Sequence, residues 1–245
     1  MRIPNIFTNS ALNSEQLIEL DQNASQHLAK VLRMKVGHQV RLFNGDGYFY
    51  PAELVDVGKK QVTAKLGEAQ TSQTESSLHT HLGQVMSRGD RMDYAVQKAV
   101  ELGVSEITPL FSERCEVRLN AERIDKRQAH WQQVAISAAE QCGRARITKI
   151  NRPVALSDWL EAQDADDALK LVLHHRDTQS LEKISPAPSR ITLLIGPEGG
   201  LSEAEIEQAC KQSFISTTFG PRVMRTETAP VAGLSLIQWL WGDFR

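Results

Sequence analysis

Cysteine is scarce in this chain, with three residues at 115, 142 and 210 and no CxxC pair. An odd, scattered set argues against a disulfide framework or a zinc finger and fits a reducing cytosol. Long apolar runs are also missing. Stretches such as Leu193-Leu194-Ile195 fall far short of the roughly 18 residues of a membrane span. Met-Arg-Ile-Pro-Asn-Ile-Phe at the start lacks the apolar segment of a secretory signal. Neither sign of charge dominates: 28 Lys and Arg against 30 Asp and Glu leave a net charge of −2, so nothing global advertises a polyanionic partner. A GxGxxG dinucleotide fingerprint and a Gly-Lys-Ser/Thr phosphate loop are absent too. These absences predict a cytoplasmic protein without a membrane, a metal or a conventional NAD or ATP site.

The 245 residues, 41% of them hydrophobic, suit two domains of ordinary globular composition. Residues 1–70 read as a small β-rich barrel. Ser25–Arg33 has the spacing of a short amphipathic helix, and period-two alternation follows at Val40–Leu42, Tyr48–Val57 and Val62–Leu66. Asn44-Gly45-Asp46-Gly47 and Gly58-Lys59-Lys60 supply turns. Residues 71–80, polar at first, read as a linker. From 81 to 245 strand and helix patterns alternate: strands at 82–86, 106–110, 169–173, 190–195 and 215–219, helices at 90–102, 122–141, 202–211 and 230–241. That is an α/β domain with a mostly parallel sheet.

Chemistry concentrates in a few loops. Gly196-Pro197-Glu198-Gly199-Gly200 follows a strand, and Ser202 with Glu205 forms a capping box for the next helix. Glycines admit close backbone approach and a helix N-terminus offers free N–H groups, the layout of an anion or nucleotide cradle. A plain βα turn has the same pattern. A second loop, Phe219-Gly-Pro-Arg-Val-Met-Arg-Thr-Glu-Thr-Ala-Pro230, puts two arginines and a glutamate between a strand and an apolar helix. Thr226, Glu227 and Thr228 can cap that helix, but capping needs neither Arg222 nor Arg225. Ala138–Arg146 ends a helix with Gly143 and opens a basic strip (Arg144, Arg146, Lys149, Arg152). An acidic stretch then runs from Asp158 to Glu182. The strip suits phosphates or a solvated face equally. Cys142 reads as a structural thiol, and His174 and His175 as structural or solvent-facing.

Lys98-Ala-Val-Glu-Leu-Gly-Val104, Glu140-Gln-Cys-Gly-Arg144, Gly196–Ser202 and Gly220-Pro-Arg-Val-Met-Arg-Thr-Glu-Thr228, in that order, resemble the RsmE-type 16S ribosomal RNA uridine-N3 methyltransferases of the SPOUT, or α/β-knot, superfamily. His27–Arg33, Gly37 and Phe43-Asn-Gly45 resemble the same family's PUA-like barrel. The resemblance implies an α/β SPOUT trefoil-knot domain with a small N-terminal PUA-like β-barrel. It also implies a homodimer, S-adenosyl-L-methionine as methyl donor, and a uridine of the decoding region of 16S ribosomal RNA, within the small subunit, as substrate.

By the same resemblance the cofactor is held by Leu173, His174, Ile195, Gly196, Pro197, Glu198, Gly199, Gly200, Phe219, Gly220, Val223, Met224, Arg225, Thr226 and Thr228. Arg225 is the expected oxyanion partner, with Glu198 and Glu227 both open as general base. Arg222, Arg144, Arg146, Arg33 and Lys35 are expected on RNA. Rival readings are a superfamily methyltransferase acting on another RNA, a non-catalytic ribosome-assembly factor of the same fold, and a dinucleotide oxidoreductase.

Overall fold

The computed structural model describes residues 3–58, 60–163, 168–174, 181, 184 and 186–245. Lys59, His175, Arg176 and part of the acidic stretch therefore lie outside the described residues. Two compact units emerge, Met1–Glu75 with Ile136–Ile147, and Ser76–Ala135 with Thr148–Arg245. The first unit thus extends past residue 70 and takes in a second segment that the β-rich pattern of residues 1–70 does not announce.

The first unit is a six-stranded, mostly antiparallel sheet of β1 (Asn5–Phe7), β2 (Leu17–Glu19), β3 (Gln39–Phe43), β4 (Tyr48–Val57), β5 (Val62–Leu66) and β6 (Gln70–Thr71). The order is β1-β3-β4-β5-β2, with β6 on β4, and only the β1–β3 pairing is parallel. Alternation turns Val40, Leu42, Leu54, Val62 and Ala64 inward with Leu28 into one core, each large side chain worth about 1.5–3 kcal/mol of burial. Helix α1 (Gln22–Gln26) continues as a π turn over His27–Val31. It starts earlier than its apolar spacing predicts, because the Asp21 carboxylate accepts the N–H groups of Asn23 and Ala24.

The Glu140–Arg146 segment braces this unit. Glu140 Oε1 accepts the Phe7 N–H at 2.9 Å, and the Glu140 carbonyl accepts Asn5 Nδ2 at 2.9 Å. Gly143 turns the chain at φ +86°, and its carbonyl accepts the Thr74 hydroxyl. Arg144 donates to Glu75 Oε2 from Nε (3.1 Å) and Nη2 (2.9 Å), while the N–H groups of Ala145 and Arg146 donate to Glu75 Oε1.

The second unit carries a seven-stranded, wholly parallel sheet: β7 (His79–Val85), β8 (Glu106–Phe111), β9 (Lys149–Ile150), β10 (Val154–Ala155), β11 (Leu169–Leu173), β12 (Arg190–Ile195) and β13 (Ile215–Thr217). Its order is β10-β8-β7-β12-β11-β13, with β9 on β8. Helices α2 (Asp90–Glu101), α3 (Ala121–Cys142), α4 (Leu156–Glu161), α5 (Glu203–Lys211) and α6 (Thr228–Trp241) complete it, although Ile136–Cys142 of α3 count with the first unit. Strands β11 and β12 are mostly apolar, with Lys170 and Thr192 buried among the apolar residues, because both faces are covered.

Glycine sets two close approaches. A Cβ on Gly83 would lie 2.5 Å from the Trp159 ring, and one on Gly233 would lie 2.9 Å from both Leu193 and Phe219, so α4 and α6 sit directly on the sheet. Along this sheet His81, Glu106, Thr108 and Asn151 form a polar cluster. His81 Nε2 and Asn151 Nδ2 each lie 2.8 Å from Thr108 Oγ1, and Asn151 also donates to Glu106.

Candidate active site

In the parallel sheet β11 is flanked by β12 on one side and β13 on the other, and the chain reaches these two neighbours by crossing in opposite directions. The carboxyl ends of strands at such a reversal are where open α/β sheets place ligands. An open cavity of about 190 Å³ lies at that point, walled by the loops after the three strands.

The first wall is Leu173 and His174, whose N–H donates to the Thr217 carbonyl at 2.9 Å. The second is Ile195, Gly196, Pro197, Glu198, Gly199 and Gly200. Here the Gly200 N–H closes a turn on the Pro197 carbonyl at 2.9 Å, with Gly200 at φ +68°. A Cβ on Gly196 would sit 3.0 Å from Leu201 Cγ, so no larger residue fits without displacing the cavity's Leu201. The capping box holds as read, with Ser202 N–H on Glu205 and Glu205 N–H on the Ser202 hydroxyl. The third wall is Thr218, Phe219, Arg222, Val223, Met224, Thr226 and Ala229.

Thr226 joins the walls. Its hydroxyl donates to the Gly196 carbonyl at 3.0 Å and accepts from Gln84 Nε2 at 3.1 Å. Thr226 is thus a buried crosslink between two loops and the end of β7. It does not cap α6, whose N-cap Glu227 makes no side-chain cap bond.

Four expected residues lie outside the wall: Gly220, Arg225, Glu227 and Thr228. Gly220 takes φ +84° and Thr228 opens α6. Arg225 sits between Met224 and Thr226, which both line the cavity. Its carbonyl accepts the N–H groups of Thr228 and Ala229, while its guanidinium is exposed and, among the described residues, has no hydrogen-bond partner. Glu227 is half-buried, with Oε2 out of reach of solvent and, among the described residues, unpartnered. Glu198 lines the cavity but is engaged by Arg91 Nη1 at 2.9 Å.

Arg91 escaped the sequence reading, as did Arg114, Leu201, Thr218 and Gln84. Arg114 lines the cavity and donates from Nη1 to the Gly199 carbonyl at 3.0 Å, while Glu205 accepts the N–H of neighbouring Glu113. Its place just after the strand at 106–110 is the one sequence signal that could have found it.

The expected RNA contacts separate. Arg222 is exposed at the cavity, and Arg33 (φ +52°) and Lys35 are exposed on the first unit. The Arg146 guanidinium lies over the backbone of Gly47. Arg144 corrects the expectation. It is buried against Glu75, so its donors are spent inside the fold. The basic strip is no single surface feature either, since Arg152 pairs with Asp125 at 2.5 Å.

Residues 74–238 match the family profile of an RNA methyltransferase domain, and residues 20–67 that of an RNA methyltransferase PUA domain. The chain belongs to the ribosomal RNA small subunit methyltransferase E family. It is 35% identical to the family member of Buchnera aphidicola (subsp. Schizaphis graminum) over 99% of this chain and 98% of that one. The Bacillus subtilis member is 30% identical over 87% and 86% of the two chains.

Among solved structures, a Legionella pneumophila methyltransferase in complex with bound S-adenosylmethionine superposes over both whole chains with TM-score 0.95 and 39% identity. The Neisseria gonorrhoeae family member, also bound to S-adenosylmethionine, does so with TM-score 0.93 and 37% identity. The second unit is therefore an RNA methyltransferase domain and the first carries a PUA domain. No helix among the described residues is long and apolar enough to cross a membrane.

Proposed function

We propose that the protein uses S-adenosylmethionine to methylate N3 of a uridine in the decoding region of 16S ribosomal RNA. The observation that carries this reading is the convergence of the loops after β11, β12 and β13 on one cavity, in a chain of this family. The cavity suits the donor. Glycine-lined turns let main-chain polar groups reach a ligand, while Leu173, Ile195, Leu201, Met224 and Ala229 offer apolar wall to an adenine. Leu173, His174, residues 195–201, Thr218, Phe219, Val223, Met224, Thr226 and Ala229 would hold it.

Bound there, the cofactor supplies an electrophilic methyl group on a sulfonium. The chain's own task is to expose the N3 lone pair, because neutral uracil carries a proton on that nitrogen. Glu227 accepts this proton; among the described residues its buried Oε2 has no other donor. Glu198 is the second candidate, and its pairing with Arg91 suits it better to fixing the loop. Loss of the proton spreads negative charge onto the flanking carbonyl oxygens of the ring, where an uncommitted cation lowers the barrier most. Arg225 is placed for that role. Arg222, Arg146, Arg33 and Lys35 steer RNA phosphates. A paired uridine hides N3, so the base is presented unstacked.

A homodimer in the cytoplasm belongs to the same proposal, supported by Leu236 and Trp239, 41% and 55% exposed along α6. So does the knotted path of the three cavity loops. Nucleotide-resolution mapping of 16S ribosomal RNA from cells lacking the protein tests the reading. One uridine losing its N3 methyl, and regaining it on complementation, is expected; an unchanged map overturns it.

A further inference from the structure

The first unit holds a cleft of about 390 Å³ of its own, bounded by the start of β1, the end of α1 and the 137–141 segment. Ile3 and Leu32 give it apolar walls that are 47% and 40% exposed, while Asn5, His27, Ser137 and Glu140 give it a polar side.

Two of its acceptor groups, Asn5 and Glu140, are short of donors among the described residues. Asn5 spends Nδ2 on the Glu140 carbonyl, yet its Oδ1 is buried without a partner. Glu140 receives the Phe7 N–H on Oε1, and its Oε2 has only His27 Nδ1 at 3.8 Å, beyond hydrogen-bond range. Burial raises this carboxyl above the ordinary carboxylate range, as expected of a charge short of donors. The brace at Phe7 explains one oxygen of Glu140. Among the described residues, the other has only the long contact to His27.

A ligand that completes the cleft is flat, apolar on its faces and rich in adjacent N–H donors on one edge. Unpaired bases in RNA are recognised in this way, stacked on side chains and read along the Watson–Crick edge. Of the four bases, only guanine presents two neighbouring donors there, N1–H and the exocyclic amine, which match the two oxygens of a carboxylate. Uracil has one donor between two acceptors, and adenine and cytosine have an amine beside an acceptor. Each carboxylate oxygen has two lone pairs, so Oε1 keeps the Phe7 N–H while accepting another donor. Exposed Arg33, directly after Leu32, supplies a cation for the adjoining phosphate.

We infer that the cleft formed by Asn5, His27, Leu32 and Glu140 binds an unpaired guanine of the RNA substrate. The inference rests on the reading of the protein as an RNA-modifying enzyme.

The full-length chain is titrated with guanosine, inosine, adenosine, cytidine and uridine monophosphates, with the Phe7 amide resonance as local reporter. Guanosine monophosphate is expected to shift that resonance and to bind about tenfold tighter than inosine monophosphate, which lacks the amine. Adenosine, cytidine and uridine monophosphates should bind more weakly than guanosine monophosphate. Glu140→Gln, which keeps an oxygen for Phe7, should erase the difference between guanosine and inosine. Equal affinity for the two in the wild-type chain, or a Phe7 resonance that no nucleotide moves, overturns the inference even if the variant fails to fold. A chain that methylates RNA but is indifferent to guanosine refutes this site alone. One that binds guanosine here but transfers no methyl refutes the proposed function alone.

Discussion

Arg144 and Arg225 look alike on paper: each lies within a few residues of a glycine, beside a second arginine, at a helix boundary. The fold puts them to opposite uses. Arg144 is buried and gives at least two hydrogen bonds to Glu75, whose other oxygen collects two main-chain N–H groups. Arg225 is exposed beside the cavity and, among the described residues, its guanidinium is unpartnered. A guanidinium that is paired and desolvated holds structure together. One left uncommitted next to a pocket is available for chemistry. Residue type and spacing do not distinguish the two; the partner does, and Glu75 lies 69 residues away from Arg144.

Truncating each arginine separates the roles. Arg144→Ala leaves the half-buried Glu75 carboxylate with only its two main-chain donors, and loss of the charged hydrogen bonds costs about 2–3 kcal/mol. Its melting temperature should fall sharply, while whatever protein remains folded keeps its turnover per molecule. A variant that melts like the wild type breaks the comparison. Arg225→Ala should do the reverse, lowering turnover by roughly 10²–10³-fold while leaving the melting curve and cofactor affinity nearly unchanged. Thr226→Val tests a joint between the loops. Loss of its bonds to Gly196 and Gln84 should cost about 1–3 kcal/mol and weaken cofactor binding, seen by calorimetric titration.

Acid sets the two units against each other. Burial depresses the His81 pKa below its ordinary 6.5, so the unfolded chain takes up the proton first. The second unit therefore loses stability as pH falls below about 6.5. Burial by itself would raise Glu106, but its hydrogen bond from Asn151 and the charge of His81 hold it below 4.5, so the loss continues as pH drops through that value. Glu140 in the first unit is raised by burial. Its neutral form is favoured on folding, so its contribution is present at low pH and is lost as pH rises through its folded pKa. Hydrogen exchange read separately for the two units should show protection at Leu82 and Ile107 falling on acidification sooner than protection at Leu42 and Leu54. The reverse order refutes the assignment. The smallest effect belongs to Arg91→Ala, which breaks an exposed pair worth less than about 1 kcal/mol and should alter turnover modestly at most.

Legibility in the sequence followed length and locality. Strands β4, β5, β11 and β12 run as their patterns predict because each has five residues or more of consistent period. β1, β2, β9 and β10, of two or three residues, are too short to carry a period, and α4 with six is little better. β13 ends at Thr217 rather than Phe219, since Thr218 and Phe219 are drawn into the cavity wall. The glycine loops of the site were visible because main-chain conformation is written locally. Arg114, Arg91 and Gln84 were not, because they reach the site from other strands and helices. Arg144 was misread for the same reason.

Gly233 carries one more implication. With no room for a methyl group between α6 and the Leu193 and Phe219 side chains, the helix cannot tilt inward unless Phe219, part of the cavity wall, gives way. Any side chain larger than hydrogen at 233 would therefore push Phe219 toward the pocket, so the shape of the cavity depends on a residue that does not line it.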